Sequence, residues 1–428
     1  MNEEQNINQL PKGWKSYNLE EIIDNLSQGW SPKCYNEAST NINEWAVIKT
    51  TAVQPGYFQD NENKRLPENL SPRKQHELKQ GDLLITRAGP RIRVGICCMV
   101  KRTRPNLINC DKVYRMRANS KLSIPEYIEL LLNSTEYSRE IELMKTGISD
   151  SGLNLTQKQF LKLKIFLPTI GIQKAIVSKI EELFSELDKG IENLGKAQLQ
   201  LKTYRQSVLK WAFEGKLTNE HVDEGELPKS WKILNLKELA TDISDGDHQA
   251  PPKSNSGVPF ITISNVDKDN NKIDFSDTFY VNNEYYAKLK INRKPLKGDV
   301  LYTVTGSFGI PILIDFDKEF CFQRHIGLVQ PLETTNQKWL YYLLQSPDVF
   351  NQAKSTATGT AQKTVALNSL RNFKVPYCKI EEQNKIVEEI ESRLSVADKM
   401  EESIKQSLQQ AEALRQSILK KAFEGGLI

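Results

Sequence analysis

Basic residues gather in this chain where no acid answers them. Between Leu83 and Cys110 stand Arg87, Arg91, Arg93, Lys101, Arg102 and Arg104, with no carboxylate among them. Two further acid-free runs follow: Lys288, Lys290, Arg293, Lys294 and Lys297, then Lys354, Lys363, Arg371, Lys374 and Lys379. The net charge is only +4, so these runs are local features, and unanswered positive charge of this kind suits a polyanion. A solvated basic face is the plain alternative for any one run. Three in one nearly balanced chain favour an anionic partner. Alongside them sit side chains suited to phosphates and base edges: Lys49, Thr50, Thr86 and Arg87 early, then Thr262, Ser264, Asn265, Thr303, Thr305, Ser307, Gln323, Arg324 and His325. Arginine reads guanine, Asn or Gln reads adenine, and Ser and Thr commonly hold phosphates. With Arg91, Arg93, Lys101, Arg102, Arg104 and Lys363, these residues form the candidate DNA-binding set.

Catalytic patterns are absent. The sequence has no GxxxxGK[ST] phosphate loop, no dinucleotide fingerprint, no GxSxG elbow and no HExxH helix. Residues 250–253, APPK, lack the leading polar residue and closing aromatic of an amino-methyltransferase motif. Asp245-Gly246-Asp247-His248 reads as a turn beside a proline pair rather than as a metal loop. The six cysteines show no CxxC spacing and the four histidines stand far apart, which argues against a zinc site or a disulfide framework. The expectation is a binder that holds no cofactor of its own.

The elements that position these residues come in two copies. Residues 205–218, RQSVLKWAFEGKLT, return as RQSILKKAFEGGLI at 415–428, and LPKGWKSYNL at 10–19 returns as LPKSWKILNL at 227–236. A long unit written twice predicts two similar halves related by a pseudo-two-fold axis. Such a molecule grips something that also has two similar sites.

Each half ends in a helical stretch. Ile176, Ile180, Leu183, Leu187, Ile191, Leu194, Leu201, Tyr204, Val208 and Ala212 recur at steps of mostly three and four, with no proline from Ile172 to Phe213. The copy from Glu382 to Phe423 carries Ile386, Ile390, Leu394, Ala397, Ile404, Leu408, Ala411, Leu414, Ile418 and Ala422. These are coiled-coil seams on rods of roughly 63 Å, at 1.5 Å per residue. Neither rod buries its stripe alone, so the two are expected to pair, and the short linker after Asn219 favours antiparallel packing. Gly190 and Gly195 are expected to make the first rod less regular. Both rods end in AFEG, a glycine stop.

The remainder mixes strands and short helices. GDLLITRAG (81–89) and VGICCMV (94–100) in the first half answer GDVLYTVTG (298–306) and PILIDF (311–316) in the second, and PEYIELLLNS (125–134) answers WLYYLLQS (339–346). The fold class is therefore α+β: two similar mixed α/β domains separated by two long helices in an antiparallel coiled coil. The expected boundaries are 1–171 and 219–381 for the domains, and 172–218 and 382–428 for the helical spacers. MNEEQNINQL is polar and unlike a secretory leader, and no apolar run spans a bilayer, so the cytoplasm is the expected location.

On the paired LPKGW and LPKSW, on GWSPKC (29–34), SDGDHQAPP (244–252), FQRHIG (322–327), GIQKAIV and EEQNKIV, and on the twin rod ends, the chain resembles the specificity (S) subunit of type I restriction–modification systems. The resemblance covers essentially its whole length, and the helical repeats are its most specific part. It implies two target-recognition domains, each reading one half of a bipartite site in double-stranded DNA. The helices would act as a ruler and as the dock for two modification (M) subunits. Those subunits would bring S-adenosylmethionine and methylate adenine, and restriction (R) subunits can then join. The first half lacks a sequence counterpart of DGDH, so residues there are not expected to map between halves. A coiled-coil adaptor with protein-binding domains is the alternative; it explains the rods but not the basic runs.

Overall fold

The structure, a computed structural model, describes residues 13–248 and 251–428. Leu10, Pro11 and Lys12 of the first LPKGW phrase, and Gln249 and Ala250 of SDGDHQAPP, lie outside the described residues. The chain divides into two compact units. The first comprises the residues through Leu194 together with Gln406–Ile428, and the second is Gly195–Lys405. Each unit thus includes a stretch of both rods.

The first unit is organised by a four-stranded antiparallel sheet in the order Ile23–Gln28, Val113–Ala118, Leu83–Thr86, Cys97–Met99. Strands Leu83–Thr86 and Cys97–Met99 are buried along their whole length because both faces are covered, whereas a half-solvated strand would alternate apolar and polar residues. Successive residues enter two different cores. Leu83, Ile85, Cys97, Tyr114 and Met116 face one that includes the helices, while Leu84, Cys98 and Val113 face the other. That second core is closed by a small sheet in which Ala46–Ile48 pairs parallel with Leu107–Ile108 and antiparallel with Asn63–Arg65. The leading strand, Lys15–Asn18, lies antiparallel to Lys164–Leu167, which feeds the first rod.

The second unit repeats this plan strand for strand. Its main sheet runs Ala240–Asp245, Ile326–Pro331, Val300–Thr303, Pro311–Leu313. Val258–Ile261 pairs parallel with Cys321–Phe322 and antiparallel with Phe279–Val281, and Lys232–Asn235 pairs with Lys374–Tyr377. Small local devices recur as well. Asn18 and Asn235 each head a capping box with a glutamate three residues on, Glu21 and Glu238. Ser134 and Ser346 each cap the second of two short helices, Thr135–Leu143 and Pro347–Thr356. Gln173 and Gln383, both fully buried at the rod starts, receive the backbone N–H of Ile124 and Asn336 and donate to two carbonyls each.

The rods are helices Ile170–Phe213 and Ile380–Phe423, of 44 residues each, and the first continues through Gly190 and Gly195 without interruption. The expected irregularity at those glycines is not seen, because no helical hydrogen bond needs a side chain there. Within the first unit, Asp188 of one rod meets Arg415 of the other; within the second, Arg205 meets Asp398 at 2.6 Å and Glu401 at 2.8 Å. These are one contact made twice, since 188 and 205 in the first rod correspond to 398 and 415 in the second. The sense is antiparallel in each unit. Each rod end then inserts into a core: Phe423 lies edge-on to Tyr127 at 5.3 Å, and Phe213 edge-on to Trp339 at 5.6 Å. Gly215 and Gly425, at φ 80° and 78°, close the two helices as AFEG predicted. Two seam assignments fail. Tyr204 and Leu414 are exposed, because the arginine that follows each one turns inward to make the ion pair and carries the seam past it.

Candidate nucleic-acid interface

At one end of each main sheet the same backbone frame presents a cluster of loops. In the first unit, strand Ile23–Gln28 runs into Gly29, whose N–H donates to the Cys110 carbonyl at 3.1 Å; Trp30 donates to the Asn109 carbonyl at 2.9 Å. The approach is so close that a Cβ on Gly29 would lie 2.1 Å from the Asn109 oxygen. In the second unit, strand Ala240–Asp245 runs into Gly246, where a Cβ would lie 2.0 Å from the Phe322 oxygen. The halves therefore do map onto each other here, contrary to expectation. DGDH has a backbone counterpart at Gly29, hidden in sequence because only the glycine is shared.

From that anchor the correspondence continues. Arg87 N–H donates to the Lys112 carbonyl at 2.9 Å and the Arg87 carbonyl accepts from Leu155 at 2.7 Å; Val304 makes the same two bonds with His325 and Val365, at 2.9 and 2.8 Å. Ala88–Gly89 pairs with Leu153–Leu155, and Thr305 bridges Thr364. The turns Cys110–Lys112 and Gln323–His325 thus occupy one structural position. So do the exposed loops 147–152 and 358–363.

Against this frame the predicted residues separate. Thr86 and Thr303 are fully buried, and each Oγ1 is tied to the loop that follows: Thr303 donates to the Ser307 carbonyl at 2.7 Å and accepts from Ile310 N–H at 2.9 Å. Thr86 likewise donates to the Arg93 carbonyl and accepts from Ile96 N–H. They shape the loops and cannot touch a ligand. Arg93 clips the turn at Thr50–Ala52 by donating to the carbonyls of Thr50 and Val53, at 2.7 and 2.6 Å. Arg104 donates to the carbonyls of Ser39, Asn41 and Glu44. Asn265 is buried and caps its turn through the N–H of Thr262, while Ser264 shares a hydrogen bond with the Thr262 hydroxyl. Several of the basic side chains lack an acid in sequence only. Arg91 pairs with Glu142 and Asp150, Lys49 with Glu62, and Arg293 with Asp245 and Asp247. Sequence spacing could not show these partners, which arrive from other strands and helices.

Arg102, Arg324 and Lys363 remain exposed, and no ion pair engages them among the described residues. Lys101 is exposed too, with Glu129 nearby. Arg87 spans the cluster, donating from Nε to the Asp111 carbonyl at 2.7 Å with its guanidinium 5.7 Å from the centre of the Tyr114 ring. The corresponding second-unit residues are Val304 and Gly327, both smaller. There a cleft of about 400 Å³ opens, lined by Val304, Thr305, Arg324, His325, Asp245 and His248, with Gln362 and residues 364–367 completing its wall. His248 Nε2 lies 3.0 Å from Asp245 Oδ2, and Tyr285 donates to Asp247 at 2.7 Å. Burial, and then the neighbouring Arg324, hold His325 below the usual histidine value, so it meets the cleft as a neutral imidazole at pH 7. Asp111, Lys112 and His248 also stand in these loop clusters, outside the candidate set. The signal was available only after the two halves had been aligned through Gly29 and Gly246.

A sequence profile described as the type I restriction modification DNA specificity domain matches residues 11–194 and again 228–410. The chain belongs to this family. The match falls on both globules and enters both rods, so the repeated frame is the family's domain used twice. Among relatives, the specificity subunit of the type I restriction enzyme EcoEI from Escherichia coli is 40% identical over 190 residues, covering 44% of this chain. That match spans about a third, 32%, of the EcoEI subunit's own length. The EcoKI specificity subunit of Escherichia coli strain K12 is 23% identical over 98% of this chain and 90% of its own. A chain solved in work on complex assembly and conformational transition of the type I R-M system shares the fold, with a TM-score of 0.71 at 20% identity. It covers 97% of this chain and 99% of its own. No helix among the described residues is long and apolar enough to cross a membrane.

Proposed function

We propose that this chain is the sequence-specific DNA-recognition subunit of a type I restriction–modification complex, with no active site of its own. Each unit reads one half of a bipartite duplex target through its loop cluster. The paired helices set the spacer and dock two modification subunits, which carry S-adenosylmethionine and methylate an adenine in each half; restriction subunits join that assembly. The complex works in the cytoplasm.

The observation that carries this reading is the duplication of one backbone frame with different side chains at its loop tips. A reader of two unlike half-sites needs such a design, because common scaffolding fixes register while variable tips choose bases. The rods support the docking role. Leu199 and Trp211 on the first, and Val396, Met400 and Leu414 on the second, are exposed apolar side chains on elements otherwise dominated by charge. The test is duplex binding by the full chain, in the complex purified through it, at about 50 and 200 mM salt. A reader contacting six or more phosphates loses roughly a thousandfold in affinity across that range. Affinity that is negligible at both concentrations would instead favour the protein-binding adaptor.

A further inference from the structure

The two loop clusters share a backbone but differ in charge at one turn. Lys112 and His325 each accept a backbone hydrogen bond at 2.9 Å from the strand that precedes the loop, so the turns 110–112 and 323–325 are the same structural position. At its middle residue the first unit has Asp111 and the second has Arg324. Most candidate arginines are already engaged: Arg91 by two carboxylates, Arg93 and Arg104 by carbonyls. Arg324 is exposed at the rim of the cleft, and its guanidinium has no ion pair among the described residues. Its backbone is nonetheless fixed, donating to the Asp247 carbonyl at 3.3 Å, so it projects from a defined position. Asp111 is fixed in the same way: its N–H donates to Ser31 Oγ at 3.1 Å, and the Ser31 hydroxyl donates back to its carboxylate.

From this juxtaposition we infer that position 111/324 determines base identity in the two half-sites: Arg324 reads a guanine in the second, and Asp111 accepts the exocyclic amine of a cytosine in the first. A guanidinium presents two parallel donors that match guanine O6 and N7, whereas a carboxylate has only acceptors and matches the cytosine N4 amine. The cleft behind Arg324 is lined by Val304, where the first unit carries the larger Arg87, and it gives the base edge room to approach the backbone. In the first unit Arg87 reaches across the turn to the Asp111 carbonyl, and Asp111 reads from the surface. The two halves of the target should therefore differ at the base pair each turn addresses. This assignment rests on the proposed DNA-reading role and adds to it the residues and the bases.

The experiment is selection of bound duplexes from a randomised pool, using the complex purified through the full chain or through its Arg324→Ala, Arg324→Lys and Asp111→Asn variants. Arg324→Ala should relax one G·C position in one half-site by about ten- to a hundredfold and leave the other half-site unchanged. Arg324→Lys, which keeps the charge and loses the paired donors, should restore affinity more than preference. Asp111→Asn should alter one position in the opposite half-site. Uniformly weaker binding by Arg324→Ala with an unchanged motif would make Arg324 a phosphate contact and overturn the assignment alone. No enriched motif with the unaltered chain would overturn the DNA-reading role itself, and this assignment with it.

Discussion

Glu129 offers a worked test of how the first unit is held together. It lies on helix Pro125–Leu132, 4% exposed, and its Oε1 accepts the Met99 backbone N–H at 2.5 Å on the neighbouring sheet. Burial is the largest influence on it. The Met99 hydrogen bond and Lys101 favour ionisation less strongly, and the carboxyl is pushed up from 4.5 to about 7. The folded protein therefore keeps this proton at pH values where the unfolded chain has released it. The resulting stability is fully present below 4.5 and is lost as the pH rises to about 7. At about 1.4 kcal/mol per pH unit, that interval corresponds to a loss on the order of 3 kcal/mol. Glu129→Gln keeps an acceptor for Met99 and cannot ionise. Urea midpoints for both proteins at pH 4.5 to 8 should show similar stability at the acid end and a gap opening in favour of the variant, complete above about pH 7. Parallel pH profiles for the two proteins would refute the reasoning, because the carboxyl would then be hydrated or paired in the fold.

Other perturbations follow from the repeat. Phe423→Ala should cost about 3 kcal/mol, with faster hydrogen exchange confined to the first unit, while Phe213→Ala should do the same to the second unit beside Trp339. Exchange that rises in both units alike would contradict this. Arg205→Ala and Arg415→Ala remove partly exposed ion pairs and should each cost only about 0.5–1 kcal/mol, less at high salt, as read by denaturation at two ionic strengths. Gly29→Ala would drive a methyl into the Asn109 carbonyl, so we expect about 1–3 kcal/mol of destabilisation by thermal melt; a melt unchanged from wild type would mean the strand end shifts freely.

Much of this architecture was legible beforehand. The rods were visible because a three-and-four apolar rhythm free of proline has few alternatives, and their pairing followed from stripes that neither rod could bury alone. Their antiparallel sense was readable from the shortness of the linker. Tyr204 and Leu414 fooled the pattern, since a seam counts apolar residues and cannot see that Arg205 and Arg415 turn inward to reach carboxylates about 200 residues away. The candidate site was less legible. Charge runs identify surface potential along the chain, but Glu142 and Asp150 come from other elements and neutralise Arg91. Thr86 and Thr303 looked like phosphate ligands and are buried loop clamps, because a hydroxyl at a strand end serves backbone and ligand equally well. The turn at Asp111 and Arg324 could be found only after two glycines with unlike neighbours were seen to make the same close approach.

The most direct test of a two-headed DNA reader is the map of methylated adenines in the genome that encodes this chain, compared with the same map after the gene is deleted. The account predicts a motif that disappears on deletion, made of two short, dissimilar halves separated by a fixed number of unread base pairs, with one methylated adenine in each. A contiguous or palindromic motif, or a methylation map indifferent to deletion, would contradict it.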